Sequence, residues 1–190
     1  MGTKGTNNRL LILQAADHLF HVRGYNQTSF SDISDETGIP KGNFYYYFKT
    51  KEDILEAVVD SRVTLFKQML EKCESAAQDP LERLVMFTKM LVNNEDELIT
   101  YGCPVGSLSS ELAKDSQVLQ TKARAVFEVV RDWLGEQFSE MGFSDSSEKA
   151  MDMLARMQGV SIMACTFKDR DFLHKSVDDI ENWLRSHRLN

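Results

Sequence analysis

The sequence has few of the residues that crosslink or interrupt a chain. Its 190 residues include 3 cysteines, 3 prolines and 10 glycines. Cys73, Cys103 and Cys165 are far apart and form no CxxC pair, which argues against a disulfide scaffold and a structural zinc site. No apolar run approaches the ~18 residues that a transmembrane helix needs, and no signal-peptide core is visible. We therefore expect a cytoplasmic protein that has no membrane, metal or cofactor partner.

The sequence also lacks an excess of positive charge. It has 22 Lys and Arg against 29 Asp and Glu, a net charge of −7. This balance argues against a protein that coats nucleic acid nonspecifically or anchors to a membrane through basic residues. The charge is unevenly distributed, however: residues 1–52 carry six basic and five acidic side chains, whereas the rest carry 16 and 24. The acidity therefore belongs to the larger, C-terminal part.

What the sequence does have is long stretches of apolar residues at helical spacing, with no alternating β-branched runs. This pattern predicts an all-α protein of about nine helices. Gly24 and Gly38 should end the first two helices, and Ser29 with Asp32 forms a capping box between them. The predicted helices span about 7–23, 30–37, 41–48, 51–75, 80–93, 116–141, 151–167 and 176–187, with a further short helix that follows a break at 103–106 and ends at about 113.

The first fifty residues have the layout of a helix-turn-helix, whose second short helix enters the major groove. Three consecutive tyrosines lie on that helix at 45–47. Three successive residues cover about 300° of a helix, so they cannot all be buried. Exposed hydroxyls suit phosphate oxygens and exposed rings suit thymine methyls, while Lys41, Lys49 and Lys51 add positive charge. The alternative is an aromatic surface helix for protein contacts.

Several short motifs keep a fixed order through this region. They run from Gly24-Tyr25 through Thr28-Ser29, Asp32-Ile33 and Gly38 to KGNFYYYFKTKE at residues 41–52. Together they cover about a quarter of the chain and resemble the DNA-binding signature of TetR-family transcriptional repressors.

The resemblance implies a helix-turn-helix DNA-binding domain at 1–52, joined to a helical ligand-binding and dimerisation domain at 53–190. It implies a homodimer on a palindromic double-stranded DNA operator, released by a small-molecule effector whose identity the sequence does not reveal. It also implies contacts from particular residues. Phosphates would be held by Thr28, Tyr47 and Lys51, and the groove would be faced by Lys41, Gly42, Asn43, Tyr45 and Tyr46.

The segment 151–167 is unusually apolar, with 12 of its 17 residues apolar or glycine. Such a helix should be buried on two sides, one of them against a partner, although a wholly intramolecular core helix is the alternative. With the last helix it predicts a four-helix dimer interface. The predicted interface residues are Met151, Leu154, Gln158, Gly159, Ile162, Val177, Ile180 and Leu184.

Methionine and aromatic side chains in the C-terminal part suit an adaptable apolar ligand pocket, although at these spacings they also suit an ordinary core. Cys103 precedes a helix start that lowers thiol pKa values, which makes a thiol-based electrophile or oxidant sensor the second hypothesis. The candidate pocket residues are Phe66, Met69, Met86, Phe87, Met90, Cys103, Trp133 and Met157.

No catalytic constellation is visible. The four histidines, at 18, 21, 174 and 187, show no metal-ligand spacing, and there is no glycine-rich phosphate loop. We therefore predict a transcriptional regulator rather than an enzyme. A helical binding protein that never touches DNA is the remaining alternative.

Overall fold

A computed structural model describes residues 3–114 and 117–187, and within these ranges its regular secondary structure is entirely helical. The predicted all-α class is confirmed. Eleven helices are present in the described residues, and they become nine when the stretch α5–α7, interrupted only at Lys89 and Asn94, is counted as one. The helices are α1 Thr3–Val22, α2 Phe30–Thr37, α3 Lys41–Tyr47, α4 Lys51–Ala76, α5 Pro80–Thr88, α6 Met90–Asn93, α7 Glu95–Tyr101, α8 Pro104–Leu112, α9 Gln117–Glu140, α10 Ser146–Phe167 and α11 Arg170–Ser186.

Local capping signals set the helix boundaries of the N-terminal region. Asp32 N–H donates to Ser29 Oγ at 3.3 Å, and Ser29 N–H donates to Asp32 Oδ2 at 2.7 Å, which completes the capping box of α2. Gly38 ends that helix with φ +67°, a left-handed conformation that favours glycine. The same reciprocal bonding joins Thr50 and Asp53 at the start of α4. These boundaries agree with the sequence pattern.

Several boundaries differ from the expectation. The helix predicted over 80–93 breaks at Lys89, and α7 follows where none was predicted, because only Leu98 and Ile99 of its seven residues are buried. Helix α11 begins at Arg170 rather than 176, since Asp169 caps it by accepting the N–H of Phe172 at 2.9 Å. Helix α1 begins at Thr3 rather than 7, and α10 begins at Ser146 rather than 151. Helix α8 begins at Pro104, inside the predicted break at 103–106. The predicted α9 start, Ser116, lies outside the described residues.

The chain divides into two compact units. The first comprises residues up to Thr64 together with Ser107–Ala125, and the second comprises Leu65–Gly106 together with the chain from Val126 onward. The first unit is larger than residues 1–52 because the first half of α4 and parts of α8 and α9 supply its core. Their contributions are Ile54, Leu55, Val58, Val59, Leu108, Leu112, Leu119 and Ala123.

In the first unit, Arg62 on α4 is almost fully buried and its Nε donates to Asp17 Oδ1 on α1 at 2.7 Å. This pairing satisfies a guanidinium inside the unit and ties the two helices together. In the second unit, the core is formed by residues of α4, α5, α9, α10 and α11, with Leu84, Leu134, Met153, Leu173 and Leu184 fully buried.

No helix in the described part of the chain has an apolar stretch long enough to cross a bilayer.

Candidate functional site

Helix α3 has one face in the core of the first unit and the others in solvent. Phe44 and Phe48 are buried in the same cluster as Leu19 and Ile33. Tyr46 is 70% exposed and Tyr47 is half-buried. The remaining outward-facing residues, all exposed, are Lys41, Gly42, Asn43, Tyr45 and Lys49.

Aromatic contacts set the direction of the exposed rings. Phe30 on α2 stacks on Phe44 with ring centroids 5.7 Å apart, and it meets Tyr45 edge-on at 5.8 Å. Tyr46 meets Tyr47 edge-on at 4.9 Å. Aromatic pairs in this geometry are attractive beyond the area that they bury. Tyr45 and Tyr46 are therefore both exposed and held in place by neighbours.

Gly42 lies on the exposed face of α3, and a Cβ added there would meet nothing within 4 Å. The fold itself therefore gives no reason for a glycine at this position. A glycine does allow another molecule to approach the backbone closely.

An open groove of about 460 Å³ lies beside α3, at the starts of α2 and α4. Lys51 reaches into the loop before α2, where its Nζ donates to Tyr25 O at 3.0 Å and to Thr28 O at 3.2 Å and lies 4.2 Å from the Tyr25 ring centroid. Lys49 adds a second cation. The groove is lined by Asn26, Gln27, Thr28, Ser29, Phe30, Tyr45, Lys49, Thr50 and Lys51.

Thr28 lies at the groove but not as the sequence predicts. Its side chain is 1% exposed, and its hydroxyl donates to Gly24 O at 2.8 Å. A phosphate contact through this hydroxyl is therefore not available in this conformation. Thr28 instead closes the turn between α1 and α2.

Two carboxylates near the groove are committed to helix caps. Hydrogen bonds from the Ser29 hydroxyl and the Ser29 N–H hold the pKa of Asp32 below its ordinary value of 3.8. The N–H groups of Lys49 and Thr50 do the same for the pKa of Asp53. Both groups are ionised at neutral pH, and each compensates the positive end of a helix.

In the second unit, several candidate pocket residues belong to one core. Phe87 and Trp133 lie with ring centroids 5.7 Å apart, and Trp133 Nε1 donates to Glu74 Oε1 at 2.8 Å. Met157 is buried in the same core, and Phe66, Met69 and Met90 pack against it while partly exposed. Met86 is the exception. It is 37% exposed, because Leu84, Val85 and Thr88 occupy the buried face of α5.

Cys103 lies half-buried just before α8. Its Sγ accepts the N–H of Gly106 at 3.4 Å and lies 3.6 Å from Gln158 Nε2. Gln158 packs so closely that a Cβ added at Gly106 would lie 2.3 Å from its Oε1. Burial raises the pKa of the Cys73 thiol.

The candidate dimer residues separate into three groups. Met151, Gly159 and Ile162 are exposed on α10, whereas Gln158 is half-buried against α8. The other four are buried within their own unit, which leaves them little surface to offer to a second copy. A buried stripe in the sequence does not reveal whether its partner is the same chain or a second copy. These four are Leu154, Val177, Ile180 and Leu184.

The largest exposed apolar side chain of α10 is not among the predicted interface residues. Phe167 is 72% exposed, and Met163 is also exposed on the same helix. The available signal was the helical periodicity of α10, which places these residues away from the buried set Met153, Met157 and Ala164.

No cluster of three or more His, Cys, Asp or Glu suited to a metal ion occurs among the described side chains. His174 instead pairs with Glu95, Nε2 to Oε2 at 2.8 Å.

An exposed second helix carrying aromatic and basic side chains, set on a buried three-helix core, defines a helix-turn-helix. Residues 12–58 match the family described as bacterial regulatory proteins, tetR family. Residues 80–178 match the C-terminal domain of LmrA/YxaF-like transcriptional regulators. The chain therefore belongs to the TetR family of DNA-binding transcriptional regulators.

Relatives of similar length agree with this assignment. The chain is 31% identical over 173 residues to the HTH-type transcriptional regulator LmrA of Bacillus subtilis (strain 168). The matched stretch covers 86% of this chain and 89% of LmrA. It is 30% identical to an uncharacterized HTH-type transcriptional regulator in the lacX 3' region of Lactococcus lactis subsp. lactis, over 90% of each chain.

Solved structures share the fold. A TetR-family regulator from Cytophaga hutchinsonii superposes with a TM-score of 0.85 at 21% identity, covering 100% of this chain and 99% of that one. The reduced form of E. coli NemR gives 0.82 at 18% identity, covering 93% and 96%.

Proposed function

We propose that the protein is a ligand-responsive transcriptional repressor of the cytoplasm that binds a palindromic operator as a homodimer. The observation that carries the proposal is the outward face of α3, where exposed aromatic, amide and basic side chains stand on a helix anchored by Phe44 and Phe48. Tyr45, Tyr46, Asn43 and Lys41 would contact base edges in the major groove, and Gly42 would let the backbone approach the DNA.

The groove beside α3 would receive the phosphate backbone. Lys51 has three N–H donors, of which two point to Tyr25 O and Thr28 O, so the third can reach a phosphate oxygen. Lys49, which also lines the groove, adds a second positive charge. Tyr47 would contribute its hydroxyl from beside Tyr46.

Dimerisation would use the exposed face of α10. Met151, Ile162, Met163 and Phe167 form an apolar surface on one helix, and Gly159 lets a second helix approach. A two-fold dimer presents two α3 helices to half-sites about one turn of DNA (~34 Å) apart.

The effector would bind in the second unit, among the aromatic and methionine side chains around Phe87 and Trp133. By binding one dimer state more tightly, it would shift the population away from the operator-binding form.

Selection of bound fragments from genomic DNA by the purified protein tests the proposal. We expect enrichment of one palindrome whose half-sites are about one helical turn apart. Fragments without a shared palindrome would overturn the repressor function.

A thiol sensor on the same scaffold is the second candidate, favoured by the position of Cys103 Sγ against the Gly106 N–H at the start of α8. If it is correct, an electrophile releases the wild type from the operator but leaves the Cys103→Ser variant bound. Equal release of both proteins would reject it.

A further inference from the structure

We infer that Glu111 is a positioning residue for DNA binding, because its carboxylate holds the loop between α1 and α2 in the shape that the phosphate groove requires. Glu111 Oε2 accepts the N–H of Tyr25 at 2.8 Å, and Oε1 accepts the N–H of Asn26 at 2.7 Å. Both are short hydrogen bonds to a charged acceptor. This inference rests on the proposed function, since it gives Glu111 a part in operator binding.

Lys51 holds the same loop through its carbonyl groups. The Lys51 ammonium group donates hydrogen bonds to Tyr25 O and Thr28 O. The N–H of Tyr25 is thus bound by an anion and the carbonyl of Tyr25 by a cation. Two opposite charges on one residue's peptide groups fix the orientation of the loop as well as its position.

Glu111 itself comes from a well-anchored helix. Its neighbours Leu108 and Leu112 on α8 are buried in the core of the first unit. Ser109 Oγ donates to Ala123 O on α9 at 2.8 Å. A carboxylate mounted on such a helix can set the position of a loop, because the helix does not move with it.

Gly24 also agrees with a fixed carboxylate at this point. Its φ of +92° favours glycine, and a Cβ added there would lie 3.1 Å from Glu111 Oε2. The turn after α1 therefore leaves room for the carboxylate to reach the two amides.

The held loop forms one wall of the groove, from Asn26 to Ser29. Loss of Glu111 would let this wall move, and Lys51 would lose its fixed direction with it. The exposed side chains of α3 would keep their positions, because Phe44 and Phe48 anchor them. We therefore expect loss of phosphate contacts with an unchanged base preference.

If Glu111 affected DNA binding only through its charge, its removal would strengthen operator binding rather than weaken it. Removing a negative charge from a DNA-binding unit strengthens binding to a polyanion. If Glu111 holds the loop, the isosteric variant Glu111→Gln instead weakens operator binding, because an amide nitrogen replaces one acceptor and faces an N–H group.

The experiment measures operator affinity against salt concentration for the full chain, the Glu111→Gln and Glu111→Asp variants, and the control Glu36→Gln, which removes an exposed charge from α2. We expect Glu111→Gln to lose about tenfold or more in affinity. The plot of log K against log salt should become shallower by about two units of slope, because one phosphate contact is lost in each half-site. The variant should still select the same palindrome. Glu36→Gln should bind as tightly as the wild type or more tightly.

Amide hydrogen exchange on the free proteins provides a readout apart from DNA. In Glu111→Gln the amides of Tyr25 and Asn26 should exchange faster while those of α4 do not change. Glu111→Asp keeps the charge but is one methylene too short, so the inference predicts a loss of affinity for it as well. If Glu111→Gln shows no cooperative thermal unfolding, the operator affinity of Glu111→Asp tests the inference in its place.

Two failures can be told apart. If the wild type selects no operator, the proposed function falls, and the role of Glu111 in DNA binding falls with it. If the wild type selects an operator and both Glu111 variants bind it as tightly with the same salt slope, only the role of Glu111 is overturned. Unchanged exchange at Tyr25 and Asn26 overturns it equally.

Discussion

The ring of Tyr46 meets the ring of Tyr47 edge to face, with centroids 4.9 Å apart and ring planes at 86°. Tyr46 is exposed, whereas Tyr47 packs partly against the core of the first unit. The core therefore limits the motion of an exposed ring through one intermediate residue. A side chain that is ordered before binding loses less conformational entropy when it meets a ligand.

Truncation at Tyr46 should therefore reduce DNA binding without affecting the fold. We expect Tyr46→Ala to lose about tenfold or more in operator affinity, the size of one lost base contact in each half-site. Fluorescence anisotropy with labelled operator measures this, and Tyr101→Ala, which removes an exposed tyrosine of the second unit, is the control. Binding of Tyr46→Ala at wild-type strength would contradict the assignment of α3.

Gly42 offers a test of close backbone approach. A methyl group there meets nothing in the free protein, so Gly42→Ala should keep or raise the free energy of unfolding, by up to about 1 kcal/mol, through helix propensity. Operator affinity should nevertheless fall, because the methyl group separates α3 from the DNA.

Gly135→Ala is the matched control for Gly42→Ala. A Cβ at Gly135 also meets nothing within 4 Å, and the residue lies inside α9 in the second unit. It should gain similar stability in urea unfolding and bind the operator as the wild type does. Equal affinity of both variants would reject close approach at Gly42.

The sequence predicts the parts of this structure that depend on neighbouring residues. The capping boxes at Ser29 and Thr50 and the left-handed glycine at Gly38 involve residues at most a few positions apart, so composition and spacing are enough. The outward face of α3 follows likewise from helical geometry around Phe44 and Phe48.

Features that depend on distant residues were not predictable. Glu111 meets Tyr25 from 86 positions away, and no local pattern indicates that pairing. Val177 and Leu184 have the apolar spacing of an interface, and both lie in the core of the second unit. Apolar spacing indicates that a helix face is buried, but it does not indicate whether the same chain or a second copy covers it. Thr28 fits a phosphate contact by type, yet the turn at Gly24 uses its hydroxyl.

The capping box of α2 gives a pH dependence. Hydrogen bonds to the ionised carboxylate lower the pKa of Asp32 in the folded state, so folding favours the charged form. Its stabilising contribution is fully present above the ordinary pKa of 3.8 and is lost as the pH falls through the lower folded value. Asp32→Asn should therefore be less stable than the wild type at neutral pH, and the difference should shrink in acid.

Urea unfolding over a series of pH values, followed by circular dichroism, measures the effect of Asp32→Asn. Asp35→Asn removes the same charge from an exposed position of the same helix and is the control. A difference between wild type and Asp32→Asn that stayed constant from neutral pH to below 3.8 would show that the carboxylate charge is not the cause.

The exposed face of α10 gives a prediction about dimerisation. Ile162 is 53% exposed, and a charge placed there would be buried without a partner in a dimer. Ile162→Glu should therefore sediment as a monomer at concentrations where the wild type is a dimer, and it should lose operator affinity. Met86→Glu, which places the same charge on an exposed residue of α5, should stay dimeric.

The buried stripe of α11 should behave differently from this exposed face. Leu184 is fully buried within the second unit, so Leu184→Ala should reduce the free energy of unfolding by about 2–5 kcal/mol through the lost contacts and the cavity. Its folded form should stay dimeric in sedimentation, because the side chain does not reach the surface. A monomeric but fully stable Leu184→Ala variant would mean that α11, and not the outward face of α10, forms the contact between subunits.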